Sequence, residues 1–142
     1  MRLNVHPADP VSYVLVNMAG EFERHNVGAG VVHDCQVIID EIYANLRAHV
    51  LPDNPDLTWT ITLNPAEDHL ELVVEYQGPF FDPTRPLPVG YRHPAVRPEG
   101  GMGLYLMSEL SDDLKHTYHR GVNTLTIRKE LGSNYKEHSL CR

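Results

Sequence analysis

Residues 31–50 read VVHDCQVIIDEIYANLRAHV, and their spacing decides how the rest of the chain must be arranged. Val31, Val32, Cys35, Ile38, Ile39, Ile42 and Leu46 recur at helical intervals and make one apolar stripe. Glu41, Asn45 and His49 stand at i, i+4 and i+8, so successive members lie about 40° apart on the helix surface, bordering that stripe. The pattern predicts an amphipathic helix over 31–50 with an acid, an amide and an imidazole on one line. Such a line is either surface decoration or the wall of a pocket. Pro52, Asn54 and Pro55 stop the helix, and His33-Asp34 are placed in its first turn.

Working outward toward the N-terminus, residues 28–30 (Gly-Ala-Gly) separate this helix from an earlier one. Val11, Val14, Leu15, Met18 and Phe22 keep helical spacing to about His25. Asp9 is expected at its cap and Pro10 at its first helical position. Leu3 and Val5 alternate with Asn4 and His6 in a short edge strand before it.

Toward the C-terminus, Leu57, Trp59, Ile61 and Leu63 alternate with Thr58, Thr60 and Thr62, the pattern of a half-buried strand. After a turn at 64–69, Leu70, Leu72 and Val74 alternate with Glu71, Val73 and Glu75, giving an antiparallel hairpin with one covered and one wet face. Periodicity then disappears between Gly78 and Gly103, where six of the eleven prolines fall. A loop of that length in a compact domain is a lid, a binding loop or a disordered segment. It carries Arg85, Arg92, His93 and Arg97 with no acid between Thr84 and Pro98, a local positive field suited to an anionic ligand or an acidic partner. Gly100-Gly101-Met102-Gly103 runs into the helical pattern of Leu104, Leu106, Met107 and Leu110, where backbone N–H groups can approach an anion. Residues 114–120 and 123–129 alternate about Gly121 in a final hairpin. The order β-α-α-β-β-loop-α-β-β predicts an α+β two-layer sandwich, with helices gathered on one face of a mostly antiparallel mixed sheet. Residues 1–132 are read as the domain and 133–142 as a polar C-terminal tail.

Composition limits the function classes. With 142 residues, 42% hydrophobic and 22% charged, the chain has the make-up of one soluble domain. A formal charge of −7 runs against nucleic-acid binding and against an anionic membrane surface. Cys35 in the helical pattern and Cys141 near the end make no disulfide framework, and no leader or membrane-spanning run is evident, so a cytoplasmic location is expected. His116 and His119 have a metal-like spacing, but three residues apart in a strand they point to opposite faces.

Three stretches together resemble a known family. Glu41-Ile-Tyr-Ala-Asn45 is similar to the E-x-x-x-N box of the GHKL (Bergerat) ATP-binding fold. Residues 77–83, QGPFFDP, resemble its first glycine box, and residues 100–107, GGMGLYLM, its second. The short length and the ending Asn123-Thr124-Leu125-Thr126-Ile127-Arg128-Lys129 most resemble the bacterial anti-sigma-factor serine/threonine kinases. The resemblance implies ATP and Mg²⁺ as cofactors, Glu41 as general base and Asn45 as the metal ligand. It further implies nucleotide contacts from Gly78, Gly100, Gly101 and Gly103, with Asn123 or Thr124 near the adenine. By alternation Asn123 shares a face with Leu125 and Ile127. The implied partners are an anti-anti-sigma protein of the STAS type and a sigma factor, with homodimerisation also expected.

One box departs from the pattern. Where the family shows D-x-G-x-G, this chain has Tyr76, Gly78 and Phe80. The missing aspartate is the residue that holds the adenine amino group in that family, and a lost buried hydrogen bond costs about 1–3 kcal/mol, up to roughly a hundredfold in affinity. Tyr76 shares the face of Leu70, Leu72 and Val74, where it either stacks on a base or fills its place. Two functions follow as expectations. One is a kinase that phosphorylates Ser/Thr of its anti-anti-sigma partner. The other is a nucleotide-independent module of the same fold that sequesters a sigma factor or another regulator.

Overall fold

The alternation along the strands sets one face of the sheet against the helices. A computed structural model describes residues 1–84 and 107–131 of the chain. Element order is β1 (Arg2–Val5), α1 (Val11–Arg24), α2 (Ala29–His49), β2 (Trp59–Pro65), β3 (His69–Gln77), a helical stretch at 107–110, β4 (Asp113–His119) and β5 (Val122–Glu130). The strands form one sheet in the order β1-β2-β3-β5-β4. Every pair among the described residues is antiparallel, so the expected mixed sheet is corrected to an antiparallel one. The two-layer α+β architecture stands as expected.

Trp59, Ile61 and Leu63 on β2, Leu70, Leu72, Val74 and Tyr76 on β3, and Leu125 and Ile127 on β5 are buried, while the residues between them are half-exposed. They join Val14, Met18 and Phe22 of α1 and Cys35, Ile38, Ile39, Ile42 and Leu46 of α2 in a single core. Each aliphatic side chain so buried contributes roughly 1.5–3 kcal/mol relative to exposure.

Element ends differ from the sequence reading for local reasons. α2 starts at Ala29, two residues early, because Gly28 takes the extended cap conformation (φ −67°, ψ 152°) and Gly30 is absorbed into the first turn. Pro10 is the cap of α1 rather than its first helical residue, with ψ at 157°. The Asp9 carboxylate instead accepts the His6 backbone N–H at 2.9 Å. Leu57 belongs to a turn, its N–H bonded to Asn54 O at 3.0 Å, so β2 begins at Trp59. The β4–β5 hairpin turns on Arg120 (φ 50°) and Gly121 (φ 77°), two positive-φ residues of the kind that match strand twist in two-residue hairpins.

No helix among the described residues is long and apolar enough to cross a membrane. The expected glycine-led start of the last helix at Gly100, Gly101 and Gly103, the basic loop and the polar tail lie outside the described residues.

Candidate functional site

α2 carries the first wall of the site. Ile38, Ile42 and Leu46 turn into the core, and this sets which face of the helix is buried. Glu41, Asn45 and His49 are thereby left partly exposed along its edge. Asn45 Nδ2 donates to the Glu41 backbone carbonyl at 2.8 Å. Only the amide nitrogen can donate to a carbonyl, so the orientation of the amide is settled. His49 lies against Phe81, ring centroids 5.4 Å apart and planes 30° from parallel. Burial lowers the pKa of His49, which favours the neutral imidazole.

That ring contact brings the segment after β3 beside the polar line. The segment turns at Gly78, whose φ of 136° belongs to glycine, and then folds back over the end of the sheet. An inward-facing row, Trp59–Tyr76–Asn123–Tyr118, crosses four strands beneath it. Tyr76 is buried, and its hydroxyl donates to Phe81 O at 2.5 Å. Burial, reinforced by the charge of Asp82, pushes its phenol pKa far up, so the hydroxyl keeps its proton. Tyr118 OH donates to Gly78 O at 2.9 Å. Phe80 remains 53% exposed, edge-on to His116 and Tyr118.

Asn123 is the centre of this arrangement and is 0% exposed. Its Oδ1 accepts Phe81 N–H at 3.0 Å, and its Nδ2 donates to Pro79 O at 3.1 Å. The oxygen also faces His116 Nε2 at 3.0 Å, so Nε2 must carry the proton. On its other side, His116 Nδ1 stands 3.7 Å from Asp82 Oδ2, both side chains nearly enclosed. Asp82 Oδ1 takes Thr84 N–H and Oγ1–H at 2.8 and 2.6 Å.

The structure therefore joins the α2 line to the segment after Gly78 through the His49–Phe81 contact and sets Asn123 beneath that segment as a clamp on residues 79–81. Thr124 does not join them. It pairs with Glu75 and Thr117 and faces the side of the sheet opposite α1 and α2. The sequence reading missed Phe81, Asp82, His116 and Tyr118. For His116 and Tyr118 a signal existed: opposite Leu125 and Asn123, they occupy inward positions of β4. His116 and His119 lie three apart in one continuous strand, on opposite faces of the sheet.

Against this geometry, the model of the histidine kinase-like ATPase domain matches residues 7–129. The chain belongs to this family. Among similar proteins is the serine-protein kinase RsbW of Bacillus subtilis (strain 168), 27% identical over 139 residues that cover 93% of this chain and 86% of RsbW. RsbW of Listeria innocua serovar 6a is 28% identical over 141 residues, covering 92% and 90%. Among solved structures, a chain in the crystal structure of the SiaB–SiaC complex from Pseudomonas aeruginosa superposes with a TM-score of 0.65 at 12% identity. That superposition covers 91% of this chain and 88% of the other, a likeness of fold.

A histidine kinase-like ATPase domain implies nucleotide use, generally with magnesium, and the residues present fit one end of that requirement. The Asn45 oxygen is a hard neutral donor of the kind magnesium accepts while it keeps phosphate oxygens and waters as its other ligands. No cluster of three or more His, Cys, Asp or Glu among the described residues offers an all-protein cage instead. At the other end the fit fails at one position. Tyr76 offers no carboxylate to a base, and its hydroxyl is already engaged by Phe81 O.

Proposed function

We propose that this chain is an anti-sigma-type regulator that binds Mg-ATP and phosphorylates a serine or threonine of an anti-anti-sigma partner of the STAS type, within a partner-switching system that controls a sigma factor or equivalent regulator. The observation that carries this reading is the pairing of Glu41 and Asn45 one turn apart on a helix whose buried face is set by the core. The similarity to proteins named serine-protein kinases supports it.

The chemistry is a single displacement. The partner's hydroxyl oxygen attacks the γ-phosphorus, the bond to the bridging oxygen breaks, and ADP leaves with that electron pair. Glu41 accepts the hydroxyl proton as the new P–O bond forms. Magnesium, when bound, offsets the phosphate charge. The Asn45 oxygen would be its protein ligand, the amide nitrogen being engaged by Glu41 O.

The test is transfer of label from γ-labelled ATP, with Mg²⁺, to candidate STAS-type partner domains. Transfer that disappears in Glu41→Ala is expected. No transfer to any cognate partner, or transfer that survives Glu41→Ala, sinks the kinase assignment.

A second reading is favoured by Tyr76. With its hydroxyl bonded to Phe81 O and no acid in its place, the same fold would serve as a nucleotide-independent module that sequesters its partner. Calorimetric titration with ATP and ADP separates the two. Millimolar nucleotide that gives neither heat nor thermal shift selects the second, and a gain of affinity in Tyr76→Asp strengthens it.

A further inference from the structure

Lys129 occupies an inward position of β5, in the same alternating set as Asn123, Leu125 and Ile127, where the pattern calls for an apolar side chain. It is only 8% exposed. Its ammonium donates to Asp34 Oδ2 at 3.0 Å and to Leu110 O at 2.5 Å. One charged group thus joins a strand, the N-terminal half of α2 and the end of the helical stretch at 107–110, whose carbonyls attract a cation. Ser111 Oγ completes that end by donating to Met107 O at 2.6 Å.

Stability alone does not account for a lysine here. A partly enclosed ion pair is often replaced by apolar residues of similar volume without loss. What the pair supplies is direction. Asp34 precedes Glu41 by seven residues, two turns less about 20°, so the two carboxylates lie on one side of α2 about 10 Å apart along its axis. Holding Asp34 against β5 therefore fixes how far α2 is rotated about its own axis, and with it where Glu41 and Asn45 point. The core residues permit small rotations, since apolar contacts have no direction, whereas a hydrogen-bonded charge pair does not.

We propose that Lys129, through Asp34, is a positioning residue for Glu41 and Asn45. This rests on the kinase reading for its effect on turnover, but its effect on α2 does not depend on that reading. Two variants test it in the full chain, Lys129→Met and Asp34→Asn. Transfer from labelled ATP is expected to lose ~10-fold or more in kcat, as misplacement of reacting groups by an ångström costs up to about a hundredfold. The thermal midpoint should change by no more than a few degrees, and Lys129→Arg should keep most of the activity. The double variant should be no worse than either single one, because both break the same link.

Hydrogen exchange provides the readout independent of turnover. Amides of residues 31–38 and 107–111 should exchange ~10-fold faster or more in Lys129→Met, while those of β2 and β3 stay protected. Unchanged exchange in those segments overturns the inference whatever the activity, as does wild-type kcat in folded Lys129→Met. Faster exchange beside a wild-type chain that transfers no label supports the positioning role and refutes the kinase reading instead.

Discussion

Replacing Asn123 by alanine removes three close hydrogen bonds at once. Phe81 N–H, Pro79 O and His116 Nε2 each lose the partner they now hold at 3.0–3.1 Å, and the weaker approach to Tyr76 O at 3.4 Å goes as well. A hydrogen bond contributes about 0.5–1.5 kcal/mol net, and each buried group left unpaired costs about 1–3 kcal/mol. Water can reach part of the 79–84 segment, so the expected loss is the lower end of the sum, roughly 2–4 kcal/mol. Trp59 is the only tryptophan and is 1% exposed, so its fluorescence reports unfolding without a label. With a urea slope of about 2 kcal/mol/M, the midpoint of Asn123→Ala should fall by roughly 1–2 M at unchanged slope. A midpoint shift equivalent to less than about 0.5 kcal/mol would refute the idea that this amide holds the segment in place.

Other perturbations have definite outcomes. The His49 pKa lies below its ordinary 6.5 because burial disfavours the cation, so the folded chain holds that proton less tightly than the unfolded one. Its contribution to stability is therefore present above about pH 6.5 and lost as pH falls through the lowered folded value, and wild type should lose more stability than His49→Gln between pH 7.5 and 5. Equal losses in the two proteins would contradict the assignment. Gly78→Ala should destabilise by about 1–3 kcal/mol through backbone strain at φ 136°, since a Cβ there meets no atom within 4 Å. A neutral substitution would show that the turn relaxes. Burial pushes the Cys35 thiol up to about 12, so alkylation at pH 8 followed by mass spectrometry should leave Cys35 unmodified until denaturant is added. Rapid labelling of that peptide in the native protein would mean that α2 opens locally.

The fold was readable because its patterns are local. The i, i+4, i+8 recurrence of Ile38, Ile42 and Leu46 and the alternation from Trp59 to Leu63 each have a single physical interpretation, and both elements form as the expected types. The place of Glu41 and Asn45 on one edge of α2 was legible for the same reason, as was the inward face of Tyr76, which is 2% exposed. Boundaries were less legible because competing bonds decide them, as the turn that takes up Leu57 shows. The clamp beneath residues 79–84 was not legible at all. Asn123 meets Phe81 across 42 positions, and His116 meets Asp82 only once β4 and the returning segment lie side by side. Alternation places a side chain on a face, but it does not say which backbone will later cover that face.

The interleaving of the polar line and the core along α2 limits how the proposed site can change over evolutionary time. Rotating the helix by even one residue to re-aim Glu41 would swing Ile38, Ile42 and Leu46 about 100° out of the core. Drift therefore cannot migrate the chemistry along or around the helix in small viable steps. It can only erase functional groups one at a time while the scaffold stays folded. A lineage built on this plan should contain members that have fallen silent by point substitution and still dock their partners, and a tyrosine at position 76 is the kind of residue by which such a change would begin.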